Sequence, residues 1–169
     1  MKKPTKYYSS MQENRIAEYL GWKVVSGSGA RPFNPGDIIS DHFLGECKTH
    51  TEKNDKITIK ADVLVKIKLE SESIFRLPVL FIDNGTQSID NTWCALSHET
   101  PLPDFDYDVI DTIKHNNLFK MSKTRITFNH YETSKVFHLY KKGLAYLKCA
   151  DIGFVLTQLN TFKTMIDSR

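Results

Sequence analysis

A chain of 169 residues, 40% hydrophobic and 25% charged, has room for one domain with a sizeable core, or a small domain with an appendage, and not for two ordinary domains. No apolar run approaches the length of a membrane span, so no membrane partner is expected. A formal charge of +3 and a pI near 8.7 permit nucleic-acid binding without demanding it.

The basic start, Met1-Lys2-Lys3-Pro4-Thr5-Lys6, lacks the apolar stretch of a secretory signal, and a cytosolic location is the expectation. Cys47, Cys94 and Cys149 lie far apart without a CxxC spacing, so neither a disulfide framework nor a structural zinc site is expected. The six histidines show no HxH or HxxxH spacing and are read as surface or hydrogen-bonded groups, not ligands.

Ser9 or Ser10 can cap a first helix that runs to about Leu20, where Gly21 stops it. Its apolar stripe is Ile16, Ala17 and Leu20, and Glu13 falls on the same stripe at helical spacing. A carboxylate there needs a cation, a metal or hydrogen-bond donors to offset its burial. The competing account puts Glu13 in the first turn, where a negative charge suits the helix dipole.

Trp22 to Ser26 reads as a strand, and Ser26 to Gly36 as a Gly- and Pro-rich loop able to approach a ligand closely. Asp37-Ile38-Ile39 and Phe43 to Thr49 then form two strands joined by Ser40-Asp41-His42. On the second strand Glu46 and Lys48 are two residues apart, so both side chains leave the same face. After a polar interruption over His50 to Lys56, a helix is expected from about Ile59 to Phe75, with Ala61, Leu64, Ile67 and Ile74 on its apolar face. Pro78 to Asp83 is a buried strand ending in an Asn84-Gly85 turn, and Trp93 to Leu96 continues the sheet.

Beyond Ser97 the spacing predicts a short helix over Tyr107 to Lys114 and strands over Ile126 to His130 and Val136 to Tyr140. A further strand ends near Leu147, and a last helix, capped by Asp151, runs to about Met165. The domain reading is a core over residues 7–97 and a C-terminal α+β extension over 98–169, packed on that core or continuing it. No chemistry is legible in the extension.

Carboxylates converging from adjacent elements make a hard-oxygen site suited to Mg²⁺, with Mn²⁺ as a substitute, rather than to zinc. In this arrangement Asp37 and Glu46 coordinate the ion, the Cys47 backbone carbonyl adds a ligand, and Glu13 completes the shell directly or through water. Lys48 orients the attacking water or offsets charge on the reacting phosphate. The chemistry is phosphodiester hydrolysis. Ser28 and Arg31 on the loop are candidate DNA-backbone contacts.

Gln12-Glu13, the Val24 to Ala30 segment, Gly36-Asp37, Glu46-Cys47-Lys48-Thr49 and Leu77-Pro78-Val79-Leu80 together resemble the PD-(D/E)xK nuclease superfamily. Within it the chain is most similar to the archaeal Holliday-junction resolvases and their bacteriophage relatives. The resemblance covers about Tyr8 to Gly85. It implies a mixed central sheet flanked by helices, a restriction-endonuclease-like core, Mg²⁺-dependent cleavage of branched DNA by a homodimer, and a host-cytoplasmic setting if a bacteriophage encodes the chain. It also makes Lys60 at the start of the second helix, and similarly Lys56, candidate DNA contacts, since related nucleases often carry a basic or polar residue there. Two departures stand out: glycine, not proline, directly precedes Asp37, and the residues after about 90 have no counterpart in minimal resolvases. A nuclease of repair, recombination or restriction acting on ends, flaps or a sequence is the nearest rival. A non-catalytic DNA-binding protein on the same scaffold is the more distant one.

Overall fold

A computed structural model describes residues 1–27, 35–103 and 106–168. Helix α1, Thr5–Leu20, opens the chain, and Gly21 ends it in the left-handed region at φ 72°, a conformation glycine adopts without steric cost. Strands β1 (Lys23–Val24), β2 (Ile38–Ile39) and β3 (Phe43–Lys48) form an antiparallel run. Next come β4 (Lys56–Lys60), helix α2 (Ala61–Ser73), β5 (Leu77–Asp83) and β6 (Thr92–Ser97). The later chain contributes β7 (Asp108–Ile110), β8 (Phe119–Met121), β9 (Arg125–Asn129), helix α3 (His130–Phe137), β10 (Gly143–Cys149), β11 (Ile152–Gln158) and helix α4 (Leu159–Asp167).

Eight strands make one mixed sheet in the order β1-β2-β3-β5-β6-β11-β10-β7, and β4-β9-β8 make a second, antiparallel sheet. The parallel β3–β5 pair requires a crossover, which α2 supplies. This is an α/β protein with a mixed central sheet flanked by helices. The last strands of the chain join the same sheet as the first, because β11 pairs with β6.

Alternation along the central strands sorts their side chains into two cores. On one face Leu80, Ile82, Trp93, Ala95, Phe154 and Leu156 pack against Leu64 of α2, Phe137 of α3 and the inner face of the small sheet, Ile57, Ile59, Ile126 and Phe128. On the other face Val79, Phe81, Cys94, Leu96 and Val155 meet Ile16, Ala17 and Leu20 of α1 and Leu159, Phe162 and Met165 of α4. Burying each of the Val, Leu, Ile, Phe and Met side chains fully contributes roughly 1.5–3 kcal/mol. Central strands with both faces covered tolerate no polar alternation, hence the unbroken apolar run at β5.

Several sequence expectations are corrected. Helix α1 begins at Thr5, after Pro4 at the N-cap with no side-chain cap, so neither Ser9 nor Ser10 starts it. The first strand is only Lys23–Val24. Residues Ile59 and Lys60 end a strand rather than open the second helix. Asp108–Ile110, expected as helix, is a strand paired in parallel with β10. Val136 and Phe137 close helix α3 instead of starting a strand. Ile152 to Gln158, expected as helix, is β11; its apolar residues face both cores at once, which imitates a helical stripe.

Candidate active site

Asp37 is fixed by the sheet before its side chain is considered. Its N–H donates to the Gly45 carbonyl at 2.8 Å and its own carbonyl accepts the Val25 N–H at 2.8 Å, so the residue bridges β1 and β3. Gly36 before it has φ 70°, and a Cβ there would lie 2.6 Å from Leu44. Proline, locked near −65°, cannot take that conformation. That accounts for glycine at a position where the resemblance would place proline.

The Asp37 carboxylate turns onto the next strand, where its Oδ2 accepts the Cys47 N–H at 2.8 Å. Residues on either side of Cys47 present Glu46 and Lys48, whose side chains pair at 3.0 Å, the carboxylate 7% exposed and the lysine 48%. The same-face spacing read from the sequence is therefore present as an ion pair. Register with β5 sets Glu46 beside Leu80 and Lys48 beside Ile82.

A second cation reaches Glu46 from α2. Lys66 Nζ lies 4.0 Å from its Oε1 and 3.7 Å from Glu70, one helical turn on. Glu70 in turn accepts the Gly36 N–H at 3.1 Å. The contacts thus run from Lys48 through Glu46, Lys66 and Glu70 back to the residue that precedes Asp37. Nothing in the sequence distinguished Lys66 and Glu70 from an ordinary i,i+4 surface pair; their role depends on where the crossover lays α2.

Glu13 lies in the third turn of α1, not the first, so the helix-dipole account of it fails. It is partly buried, and burial, then the charges of Asp37 and Glu46, push its carboxyl up from 4.5 to about 7, against the pull of Lys48. Burial alone would lower the Lys48 ammonium, but its hydrogen bond to Glu46 and the charges of Glu46 and Asp37 raise it. The Cys47 thiol, buried and next to the three carboxylates, is held well above its usual range. Glu13, Asp37, Glu46 and Lys48 therefore share one electrostatic environment.

Gln12, beside Glu13, ties helix to strand. It is 1% exposed, and its Nε2 donates to the Lys48 carbonyl at 2.6 Å and to Asp83 Oδ2 at 3.1 Å. Burial raises Asp83, opposed by hydrogen bonds from Thr49, Gly85 and Gln12. Its other oxygen accepts the Thr49 hydroxyl and the Gly85 N–H, both at 2.7 Å. The Gln12 Oε1 is buried with no partner among the described residues.

Among the described residues, no group of three His, Cys, Asp or Glu is drawn together closely enough to hold a metal ion as it stands. Ser28 and Arg31 lie outside the described residues. Lys56 and Lys60 are exposed at the two ends of β4. Trp22 is packed against Phe43, Phe81 and Phe162 as part of the core. His130 is a core hydrogen-bonding residue, its Nδ1 accepting the Trp93 indole N–H at 2.9 Å. No helix among the described residues is long and apolar enough to cross a membrane. No family model matches the chain, and no curated protein or solved structure matches it.

Proposed function

We propose that the chain is a PD-(D/E)xK-type endonuclease with a restriction-endonuclease-like core, hydrolysing phosphodiester bonds in branched DNA in the manner of a junction resolvase. The observation that carries this reading is the Asp37 to Cys47 hydrogen bond, which binds one carboxylate to the strand bearing the Glu46–Lys48 pair. A scaffold kept only for packing or partner contact has no need of such a cluster. Several carboxylates in one another's field cost stability unless positive charge offsets them.

The donor set suits a hard divalent ion. Glu13 is driven to about 7 by burial and by its two acidic neighbours, as expected where local positive charge falls short. Mg²⁺, or Mn²⁺ in its place, would be held by Asp37, Glu46, the Cys47 carbonyl and Glu13, the last directly or through water. When bound, the ion supplies polarisation of the scissile phosphate and a more acidic bound water. Because no three donors already converge among the described residues, binding must draw these side chains together.

The protein groups do the rest. Lys48 Nζ, half exposed beside Glu46, donates a hydrogen bond to the attacking water or to a non-bridging phosphate oxygen. Lys66 holds the outer side of Glu46. Water oxygen bonds to phosphorus, the phosphorus–oxygen bond to the leaving sugar breaks, and a phosphate monoester and a hydroxyl result. A homodimer, as the resemblance implies, would place two such sites on two strands of a junction.

The test is a substrate panel with Mg²⁺. Symmetric nicking of four-way junctions with linear duplex spared is the expected outcome. Cleavage of linear duplex at least as fast would reject junction selectivity in favour of a repair, recombination or restriction nuclease.

A further inference from the structure

We propose that the outward face of the β4-β9-β8 sheet is a separate docking surface for the DNA backbone. The inference rests on the reading of DNA as the substrate and adds where its flanking duplex lies.

Alternation makes the small sheet two-sided. Ile57, Ile59 and Ile126 are 0% exposed and Phe128 is 2% exposed on the inner side. The alternate positions Lys56, Thr58 and Lys60 of β4 face solvent, and across the ladder they pair with Asn129, Thr127 and Arg125. Lys120 of β8 pairs with Thr127 on the same outer side. Four cations, contributed by both halves of the chain, thus share one face, and none of them forms an ion pair with the described residues. The nearby acids are Asp62, just inside α2, and Glu132, at the start of α3, which leaves the face positive.

Spacing favours phosphates. Lys56 and Lys60 are four strand residues apart, about 13–14 Å, close to the rise of four base pairs. Between them the Thr58 and Thr127 hydroxyls sit 3.3 Å apart, neutral donors of the kind that join Lys and Arg on DNA backbones. A protein partner would call for an apolar or aromatic anchor surrounded by few lysines; the outward positions of these strands carry four cations and no large apolar side chain, since Met121, exposed at the edge, stands opposite Ile126 on the inner side. The surface also connects to the carboxylates: Lys60 precedes α2 directly, and Lys66, six residues or roughly 9 Å further along the helix, touches Glu46.

Binding of a fluorescent four-way junction to the full chain, measured by anisotropy across a salt titration in EDTA, tests this without any cleavage. The fourfold variant Lys56→Ala, Lys60→Ala, Lys120→Ala, Arg125→Ala should weaken binding at least about tenfold near 0.1 M salt. Its log–log salt slope should be shallower by about 3–4, near 0.9 for each phosphate left unneutralised. The charge-preserving variant, with arginine at the three lysines, should bind like wild type, and so should Lys148→Ala with Lys163→Ala, on the far side of the main sheet. Wild-type affinity and slope in the fourfold variant would overturn the proposal, as would an equal loss in the distant pair. Unchanged far-UV circular dichroism guards against misfolding. Absence of cleavage by wild type would defeat the nuclease reading while leaving this binding result intact.

Discussion

Asp37 Oδ2 accepts the Cys47 N–H at 2.8 Å, so the carboxylate that opens one strand is bonded to the backbone between Glu46 and Lys48 on the next. The hairpin does two things with one bond. It satisfies a part-buried amide, and it sets an acidic side chain next to an ion pair. Moving Asp37 by one residue would reverse its face and break both.

Glu13 makes stability depend on pH with a definite sign. Its ordinary value is 4.5 and its folded value about 7, so between these the folded protein holds a proton that the unfolded chain releases. The stability this confers is complete below 4.5 and is lost as pH rises through 7. Glu13→Gln should therefore match wild type near pH 4.5 and exceed it at pH 8 by about 1–2 kcal/mol after allowance for solvent screening. Melting curves across that range, at about 2–4 °C per kcal/mol, read the difference; a variant less stable than wild type at pH 8 contradicts it.

Gly36 cannot be exchanged for the proline found in the nuclease pattern that the sequence resembles. Gly36→Pro has to leave φ 70° and loses the N–H that Glu70 accepts, and the expected destabilisation is about 3 kcal/mol or more. Gly36→Ala should cost less, about 1–3 kcal/mol. Urea unfolding of the two variants checks the order; a Pro variant as stable as wild type would show that the backbone here is not held as described.

Gln12 should matter more for stability than its place beside Glu13 suggests. Gln12→Ala removes the donor shared by Asp83 Oδ2 and the Lys48 carbonyl, at a cost of about 1–3 kcal/mol. Because the same bond positions the strand end that carries Lys48, turnover should also fall while DNA affinity holds. A variant that loses neither stability nor turnover would remove Gln12 from the supporting network.

The two lysines on Glu46 should separate in kinetics. Lys48, at 3.0 Å, is in the proposed mechanism the group that meets water and phosphate, and Lys48→Ala should lower kcat by about a hundredfold or more with little change in binding. Lys66, at 4.0 Å and 62% exposed, holds Glu46 from outside, and Lys66→Ala should cost less than about tenfold. Single-turnover cleavage of a junction distinguishes them; the reverse order would make Lys66 the principal cation.

How much of this was legible depends on whether the signal was local. The β2–β3 hairpin, the Glu46–Lys48 face and the Gly21 stop each rest on a period of two or on one glycine's conformation, and the structure has them where the sequence puts them. The start of α1 was hidden because its first turns are polar and exposed, with the buried stripe beginning only at Gln12. Strand β11 was hidden for the opposite reason, being buried on both faces. Lys66, Glu70 and Asp83 enter the site through the crossover and through the end of β5, relations between distant residues that no spacing reveals. Ser28 and Arg31 fall outside the described residues, so their loop role still rests on the sequence alone.

The most direct measurement compares cleavage of a four-way junction in Mg²⁺ by wild type, Asp37→Asn and Glu46→Gln at protein concentrations that saturate the DNA. Both substitutions should abolish turnover, by about a hundredfold to a thousandfold or more, while DNA affinity stays within a few-fold of wild type. Wild-type cleavage rates in both variants would contradict the assignment of these carboxylates, and of the nuclease, to this site.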